Sequence, residues 1–123
     1  MLLFKTRLAE LIARQEGFFR PGTVPSRLHN PGDLRHGPGA THSGDPNGIG
    51  TYTSDASGAE DLERQLRLYA GRGMSLRDCI YVYAPPSENG TEGYLSFVTK
   101  GLGLPPETPV SVALTIPAQE NNG

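Results

Sequence analysis

Apolar residues recur at helical spacing in the first part of the chain. Leu8 and Ile12 fall on one face of a 3.6-residue helix. The pattern predicts a first helix over residues 3–16 that ends at Gly17, since glycine readily adopts the left-handed conformation that closes a helix. Glu16 then lies in the last turn, on the shoulder of the apolar face, where we expect it to be half buried.

Four further helices are predicted in the second half of the chain. A serine followed three residues later by an acidic residue is typical of a helix start, and it occurs at Ser57 and again at Ser75. The helix after Ser75 carries inward-facing residues up to Tyr83, where two prolines end it. Thr91 is predicted to cap another helix, and a short last helix is predicted to start at residues 108–109, with proline at the first helical position.

Residues 17–50 are rich in glycine and proline and too irregular for a helix. Turn signals at residues 37–39 and 45–48 separate two short stretches, 34–36 and 49–52, which are predicted to form a hairpin or an extended pair. The fold class is therefore α+β and mostly α-helical, with a short β-hairpin or irregular sheet lobe.

Length and composition indicate one small domain. With 123 residues, of which 36% are hydrophobic, the chain can build a single core. We place the domain at residues 1–116 and expect residues 117–123 to form a disordered tail. No apolar run is long enough for a transmembrane helix, and the apolar N-terminus is too brief for a signal peptide.

Charge is unevenly distributed along the chain. The net charge of −2 combines +3 in residues 1–40 with −5 in the remainder. The basic part would suit an anionic polymer such as a bacterial cell wall, although a charge bias is also typical of a solvated helix face. No basic run or fold signature predicts nucleic-acid binding.

Histidine and cysteine do not predict a metal or thiol site. The spacing of His29, His36 and His42 fits no zinc template, so neither a metal nor another cofactor is expected. Cys79, the single cysteine, cannot form an internal disulfide. It lies in a helical pattern and is expected to pack in the core.

Glu16 is the strongest candidate for a catalytic residue. Partial desolvation, the negative end of the helix dipole and the rings of Phe18 and Phe19 are all expected to raise its pKa. A carboxylic acid that keeps its proton near neutral pH can donate it to a leaving oxygen. The alternative is a surface glutamate paired with Arg14 or Arg20.

The order of motifs around Glu16 resembles the lysozyme-like superfamily, in the branch with goose-type lysozymes, lytic transglycosylases and phage muralytic domains. Glu16 is followed by two aromatic residues, then by Ser26, and then by a loop over residues 30–35 that reads Asn-Pro-Gly-Asp-Leu-Arg. The loop is similar to the Asn-Pro-Gly-Asn-Leu-Arg form of phage-encoded members, with Asp33 in place of asparagine. Residues 83–94 are similar to the family's cleft wall.

The resemblance implies cleavage of the β-1,4 bond between N-acetylmuramic acid and N-acetylglucosamine, with Glu16 as general acid. It implies that the sheet lobe borders the cleft and that Ser26 orients Glu16 or a substrate oxygen. The residues implied to build the loop over the acid and to line the opposite wall are Asn30, Leu34, Arg35, Tyr83, Asn89 and Tyr94.

Hydrolysis and transglycosylation both remain open at this point. Glycosidases commonly use two carboxylates, and Asp33 and Asp45 are candidates for the second by their position in the loop region. A lytic transglycosylase could instead use Glu16 first as acid and then as base on the muramyl 6-hydroxyl.

The resemblance also implies where the domain acts. Its partners would be peptidoglycan strands, with neither nucleic acid nor membrane insertion. Synthesis in the cytoplasm would be followed by association with a virion or release to the wall. One alternative is a non-catalytic structural or glycan-binding module, for example of a phage virion. Another is a thiol or metal peptidase, which would need Cys79 or the histidines to converge with partners.

Overall fold

The computed structural model describes residues 3–34, 49–86 and 90–119. Its six helices are α1 (Arg7–Glu16), α2 (Val24–Arg27), α3 (Asp55–Gly71), α4 (Leu76–Tyr83), α5 (Thr91–Leu102) and α6 (Val110–Ala113). The mostly helical class predicted from the sequence is confirmed. Within these ranges the structure contains no sheet. None of the described helices combines the length and the apolar composition that a membrane-spanning helix requires.

The predicted hairpin falls largely outside the described residues. At its described end, the Gly50 amide donates a hydrogen bond to the Leu34 carbonyl at 2.9 Å. The ends of the two stretches therefore lie side by side, but the described residues around this hydrogen bond form no strand.

Helix α1 lies at the centre of the fold, packed against α3 and α5. Leu8 and Ile12 are fully buried on its inner face, as the apolar pattern predicts. Helix α5 can approach closely because Gly101 has no side chain, since a Cβ there would lie 2.6 Å from Leu11 Cδ2. This packing fixes how α5 is placed relative to the end of α1.

The start of α1 differs from the sequence prediction. The helix begins at Arg7, four residues later than predicted, and Thr6 is its N-cap. Glu63 of α3 is buried and accepts hydrogen bonds from the Thr6 amide at 3.1 Å and hydroxyl at 2.7 Å. A carboxylate at a helix N-terminus also interacts favourably with the helix dipole, so Glu63 ties α1 to α3.

Residues 117–119 belong to the folded domain and not to a disordered tail. Pro117 forms an antiparallel bridge with Thr6, and the Ala118 amide donates to the Lys5 carbonyl at 3.0 Å. The next amide, that of residue 119, donates to Glu10 Oε1 at 3.2 Å. Backbone groups three residues beyond the predicted boundary at 116 therefore have partners at residues 5, 6 and 10, around the start of α1. Residues 120–123 lie outside the described residues.

Among the other helix starts, one predicted capping signal is confirmed and two are wrong. The capping box at Ser75 and Asp78 is confirmed. The one predicted at Ser57 is wrong, because Ser54 is the N-cap of α3. Thr91 does not cap α5; its hydroxyl donates to the Ala84 carbonyl at 2.7 Å.

Two short helices also differ in detail from the prediction. Helix α2 was not predicted; it is a single turn with Thr23 as its N-cap. Pro109 is the N-cap of α6 and not its first helical residue.

Candidate functional site

A cleft of about 510 Å³ opens beside the C-terminal end of α1. This volume lies within the range of small-molecule sites in proteins. The cleft is lined by Glu16, Asp33, Leu34, Ile49, Tyr69, Val82, Tyr83 and Pro85. It thus combines two carboxylates and two phenols with several apolar side chains.

Glu16 occupies the position that the sequence predicts. It is the last residue of α1 and is partly exposed. Gly17 follows with φ 88°, in the left-handed conformation, and its amide bonds back to the Arg14 carbonyl at 3.1 Å. The abrupt end of the helix leaves the Glu16 side chain at the cleft.

Tyr94 holds one oxygen of Glu16. Its Oη donates a hydrogen bond to Glu16 Oε2 at 2.7 Å. Burial, reinforced by the negative charge of Glu16, raises the pKa of Tyr94, so the phenol stays protonated and remains a donor. A donor to a carboxylate favours the ionised form, which opposes the effect expected from burial of Glu16 alone.

Tyr83 stands beside this pair at the end of α4. Its ring centroid is 6.5 Å from that of Tyr94. Burial raises the pKa of Tyr83 well above its usual value, and nearby groups that include Glu16 and Asp33 add to the effect. Its Oη is buried and has no hydrogen-bond partner in the described part of the chain. The cleft therefore contains a neutral phenol close to both carboxylates.

Asn30 shapes the loop that faces Glu16. It is fully buried, and its Nδ2 donates to the carbonyls of Leu34 at 2.7 Å and Gly50 at 2.8 Å. Its Oδ1 accepts from the Leu34 amide at 2.9 Å. The sequence placed Asn30 in the loop correctly. These three hydrogen bonds to backbone groups show that Asn30 positions the loop, and its implied contact with substrate stays a prediction.

Asp33 and Leu34 are the loop residues that reach the cleft. Asp33 has φ 53°, in the left-handed region that asparagine and aspartate tolerate better than most residues. The Asp33 amide bonds to the Asn30 carbonyl at 3.0 Å, which closes the turn. Asp33 and Glu16 therefore share the cleft, although 17 positions separate them in the chain.

Gly58 of α3 allows the loop to lie close to the helix. A Cβ at this position would be 2.0 Å from the His29 carbonyl oxygen and 2.8 Å from Pro31 Cδ. His29 itself has φ 54° and holds Asp55 at 2.8 Å through Nδ1. A glycine inside an amphipathic helix commonly has a packing reason, and at Gly58 that reason is the close approach of the loop.

Two cleft-lining residues, Tyr69 and Val82, were not predicted. Tyr69 was assigned to the scaffold stripe of its helix, and nothing in the sequence separates it from the core positions around it. Ile49 and Pro85 also line the cleft, and both lie in segments that the resemblance implied to border it. Val82 is 52% exposed, so it departs from the buried face of α4. In the sequence, the position of Val82 next to the end of α4 was the signal that could have placed it at the cleft.

The structure does not bring Ser26 to Glu16. Ser26 is not among the residues that line the cleft, and in the described part of the chain its hydroxyl makes no hydrogen bond to Glu16. Its amide is bonded to Thr23 Oγ1 at 3.3 Å, because Ser26 lies in the single turn of α2. The structure therefore does not support a hydrogen bond from Ser26 to Glu16, and the role of Ser26 toward a substrate oxygen stays a prediction.

The aromatic neighbours of Glu16 also differ from the expectation. Phe18 and Phe19 pack edge-on against Phe4, with ring centroids 6.1 and 6.0 Å away. The Arg14 guanidinium lies over the Phe19 ring, 4.9 Å from its centroid. The aromatic rings that share the cleft are instead tyrosines from α3 and α4, with Tyr94 of α5 bonded to Glu16.

Some predicted site residues cannot be placed. Arg35, Asp45 and Asn89 lie outside the described residues, as do His36 and His42. Their implied roles stay predictions.

Thiol and metal chemistry find little support in the described residues. Cys79 is fully buried, and burial raises its pKa to about 12. Its thiol is therefore protonated at neutral pH, whereas the thiolate is the nucleophile. The ranges 3–34, 49–86 and 90–119 contain no group of three or more His, Cys, Asp or Glu side chains arranged to hold a metal ion.

Comparison of the chain with protein-family models, with curated proteins and with solved structures found no match.

Proposed function

We propose that this protein is a peptidoglycan-cleaving glycosidase or lytic transglycosylase with a lysozyme-like fold. It acts on the bond between N-acetylmuramic acid and N-acetylglucosamine, with Glu16 as general acid. The observation that carries the proposal is the position of Glu16: it ends α1 at a cleft that also holds Asp33, and Tyr94 fixes one of its oxygens.

The hydrogen bond from Tyr94 orients the carboxyl group of Glu16, because the phenol donates to Glu16 Oε2 at 2.7 Å. As general acid, Glu16 protonates the glycosidic oxygen as the bond breaks. The resulting carboxylate can then act as base on a water or on the muramyl 6-hydroxyl.

Charge in the cleft suits the transition state of this reaction. Glycosidic cleavage develops positive charge on the sugar ring. Asp33 lies in the cleft with Glu16, so a negative group is available to stabilise that charge. The sequence motifs from Glu16 to the loop of residues 30–35 support the same assignment, since their order resembles that of lysozyme-like enzymes.

The test is product analysis after purified peptidoglycan is incubated with the protein and with Glu16→Gln. Removing a general acid costs about 10²- to 10⁴-fold in rate, so we expect soluble muropeptides from the wild type and almost none from the variant. Glu92→Gln is the matched control, because Glu92 is 69% exposed and does not line the cleft. Wild-type activity in Glu16→Gln would reject the mechanism.

Mass spectrometry of the products separates the two reactions. Products that end in 1,6-anhydromuramic acid would identify a lytic transglycosylase, and reducing-end muramic acid would identify a hydrolase. If several types of wall gave no product with the wild type, the chain would be a non-catalytic glycan-binding or structural module.

A further inference from the structure

A basic surface outside the cleft surrounds the turn that follows α1. Arg14 and Arg20 are both exposed, and neither lines the cleft. Glu16 is the only acidic residue between positions 11 and 32, and its side chain lies at the cleft. The two arginines therefore have no other acidic residue near them in the sequence.

Ion pairing distinguishes Arg14 and Arg20 from most other cationic residues. The described residues that pair with an acidic side chain are Lys5, Arg7, Arg64, Arg67 and Arg77. In the described part of the chain Arg14 and Arg20 form no ion pair, and the same holds for Arg27, Arg72 and Lys100. The charge of Arg14 and Arg20 is thus available to an external anion.

Phe19 supports the Arg14 side chain. The guanidinium of Arg14 lies over the Phe19 ring, 4.9 Å from its centroid. The ring is 44% exposed, but it packs against Phe18 and Phe4, with centroids 5.2 and 6.0 Å away. A guanidinium stacked on a ring keeps its N–H edges free for an oxyanion. Arg14 is therefore held in one plane before any ligand binds.

Arg20 lies against the same turn. Its Nη2 would be 2.9 Å from a Cβ at Gly17, so the guanidinium rests on the backbone at the end of α1. A cation near a helix C-terminus interacts favourably with the helix dipole. The dipole explains the position of Arg20, but it supplies no counter-ion of full charge. Two exposed guanidinium groups therefore lie around one turn.

We propose that Arg14, Phe19 and Arg20 form a phosphate site that binds a phosphate chain of the bacterial wall, such as poly(glycerol phosphate). The choice of a wall polymer rests on the proposed function. Guanidinium groups bind phosphate oxygens through paired hydrogen bonds, which makes arginine better suited than lysine to this role. A site outside the cleft would hold the protein on the wall while Glu16 acts.

A thin polymer fits this surface better than a folded acidic protein. A typical protein partner covers about 800 Å² on each side, far more than three side chains provide. Outside residues 1–40 the net charge is −5, so a broad acidic surface would meet repulsion beyond the phosphate site. A single chain of phosphate groups can contact the two arginines alone.

Single-stranded nucleic acid is also a phosphate chain, but the phosphate site offers its bases little. Proteins that bind single strands combine a basic groove with aromatic faces on which the bases stack. Arg14 already covers a face of Phe19. The bases and sugars would add bulk without a stacking contact, so we expect poly(glycerol phosphate) to bind more tightly.

The experiment is calorimetric titration of the full chain with oligomers of equal length: poly(glycerol phosphate), polyglutamate and oligothymidylate. The variants are Arg14→Gln, Arg14→Lys and Arg20→Gln, with Arg72→Gln as the control. Arg72 is exposed and forms no ion pair in the described residues, so its substitution changes the net charge equally without touching the phosphate site. Urea unfolding checks that every variant is folded.

We expect poly(glycerol phosphate) to bind more tightly than the other two oligomers. Arg14→Gln and Arg20→Gln should each weaken its binding about two- to fivefold, as for an exposed ion pair. Each should also reduce the slope of log affinity against log salt by about 0.7. Arg14→Lys should weaken binding because lysine keeps the charge but loses the stacked planar fork. Arg72→Gln should leave affinity and slope unchanged.

Equal effects of Arg14→Gln and Arg72→Gln would show that only net charge matters, and this would overturn the inference. Wild-type affinity in Arg14→Lys would remove the role of the stacked guanidinium and overturn it too. The same conclusion follows if poly(glycerol phosphate) does not bind, or if polyglutamate or oligothymidylate binds as tightly.

Lysis of walls with and without their phosphate polymer separates this inference from the proposed function. Arg14→Gln should slow lysis of the phosphate-bearing wall and leave lysis of the stripped wall unchanged. Phosphate binding without lysis of either wall would refute the proposed function and leave the phosphate site standing. Lysis of both walls at the same rate by the wild type and Arg14→Gln, with no binding of the oligomer, would do the reverse.

Discussion

Tyr94 and Glu16 connect α5 to the end of α1 through a hydrogen bond of 2.7 Å from the phenol to Oε2. The two residues are 78 positions apart in the chain. Tyr94 is 6% exposed, and Gly101 on the same helix allows the close packing on Leu11 of α1. The orientation of the Glu16 carboxyl group therefore depends on how α1 and α5 pack together, and not only on the residues next to Glu16 in the chain.

Substituting Tyr94 by phenylalanine should test this orientation. The ring and its packing stay, but Glu16 loses its donor, so we expect kcat to fall about tenfold, a typical cost of losing a hydrogen bond to a charged group. The limb of the activity–pH profile that reports Glu16 should move to higher pH, because the lost bond favoured the ionised carboxylate. The assay is wall lysis across pH.

The control for this variant is Tyr81→Phe. Tyr81 lies on α4, and its phenol is near Glu92, outside the cleft. We expect its pH profile to match the wild type. A purely structural role of Tyr94 would lower activity by the same factor at every pH, and that outcome would contradict the prediction.

Asp33 provides a separate test of the second carboxylate. Asparagine tolerates the left-handed φ of 53° and stands at this position in the phage-encoded motif that the loop resembles, so Asp33→Asn should keep the fold. Because Asp33 is proposed to stabilise the positive charge that develops on the sugar, we expect activity to fall about a hundredfold. Activity close to that of the wild type would remove this role from Asp33 and leave Glu16 as the only carboxylate needed for the proton transfers. Wall lysis and urea unfolding measure the two properties.

Local signals predicted those elements that local chemistry determines. The end of α1 at Gly17 and the capping box at Ser75 require only neighbouring residues, and both are confirmed. The partnership of Tyr94 with Glu16 is non-local, so periodicity could place each residue on its helix but could not pair them. The resemblance to lysozyme-like enzymes implied that both residues lie at a cleft, but it did not imply the hydrogen bond between them.

Other features were missed because two signals competed. At Ser54 and Ser57, both residues can cap a helix, and the chain uses the earlier one. Ser26 stands in the expected order after Glu16, but the single turn of α2 carries it away from the cleft. Spacing along a chain fixes distance in space only when the intervening conformation is known.

Gly58 and Gly71 of α3 give a matched pair of substitutions. Alanine usually stabilises a helix interior by about 0.5–1 kcal/mol relative to glycine. At Gly58, however, the new Cβ would lie 2.0 Å from the His29 carbonyl oxygen, so we expect Gly58→Ala to lower the free energy of unfolding by about 1–3 kcal/mol. Urea unfolding measures the change.

Gly71→Ala should have the opposite sign. No atom lies within 4 Å of a Cβ at this position, which is the last residue of α3. A gain of up to about 1 kcal/mol is expected from helix propensity. If both substitutions raised the free energy of unfolding, the loop would not lie as close to Gly58 as the structure shows. Gly58→Ala should also reduce wall lysis, because the displaced loop carries Asp33.

Buried tyrosines should make the fold sensitive to alkali. Tyr52 is 1% exposed and donates to Asp61 Oδ2 at 2.6 Å; burial, with this bond and the charge of Asp61, raises its pKa. An unfolded tyrosine releases its proton near pH 10. Above that pH the unfolded state binds fewer protons than the folded state, so the free energy of unfolding falls as pH rises.

The expected loss is up to about 1.4 kcal/mol per pH unit for each such tyrosine, until its folded pKa is reached. Tyr52→Phe removes one contributor, so its stability should fall less steeply than that of the wild type between pH 10 and 11.5. Below pH 9.5 the two curves should run parallel, with the variant less stable because Asp61 has lost a donor. Urea unfolding over this pH range measures both slopes, and equal slopes above pH 10 would show that Tyr52 ionises as freely in the folded state as in the unfolded chain.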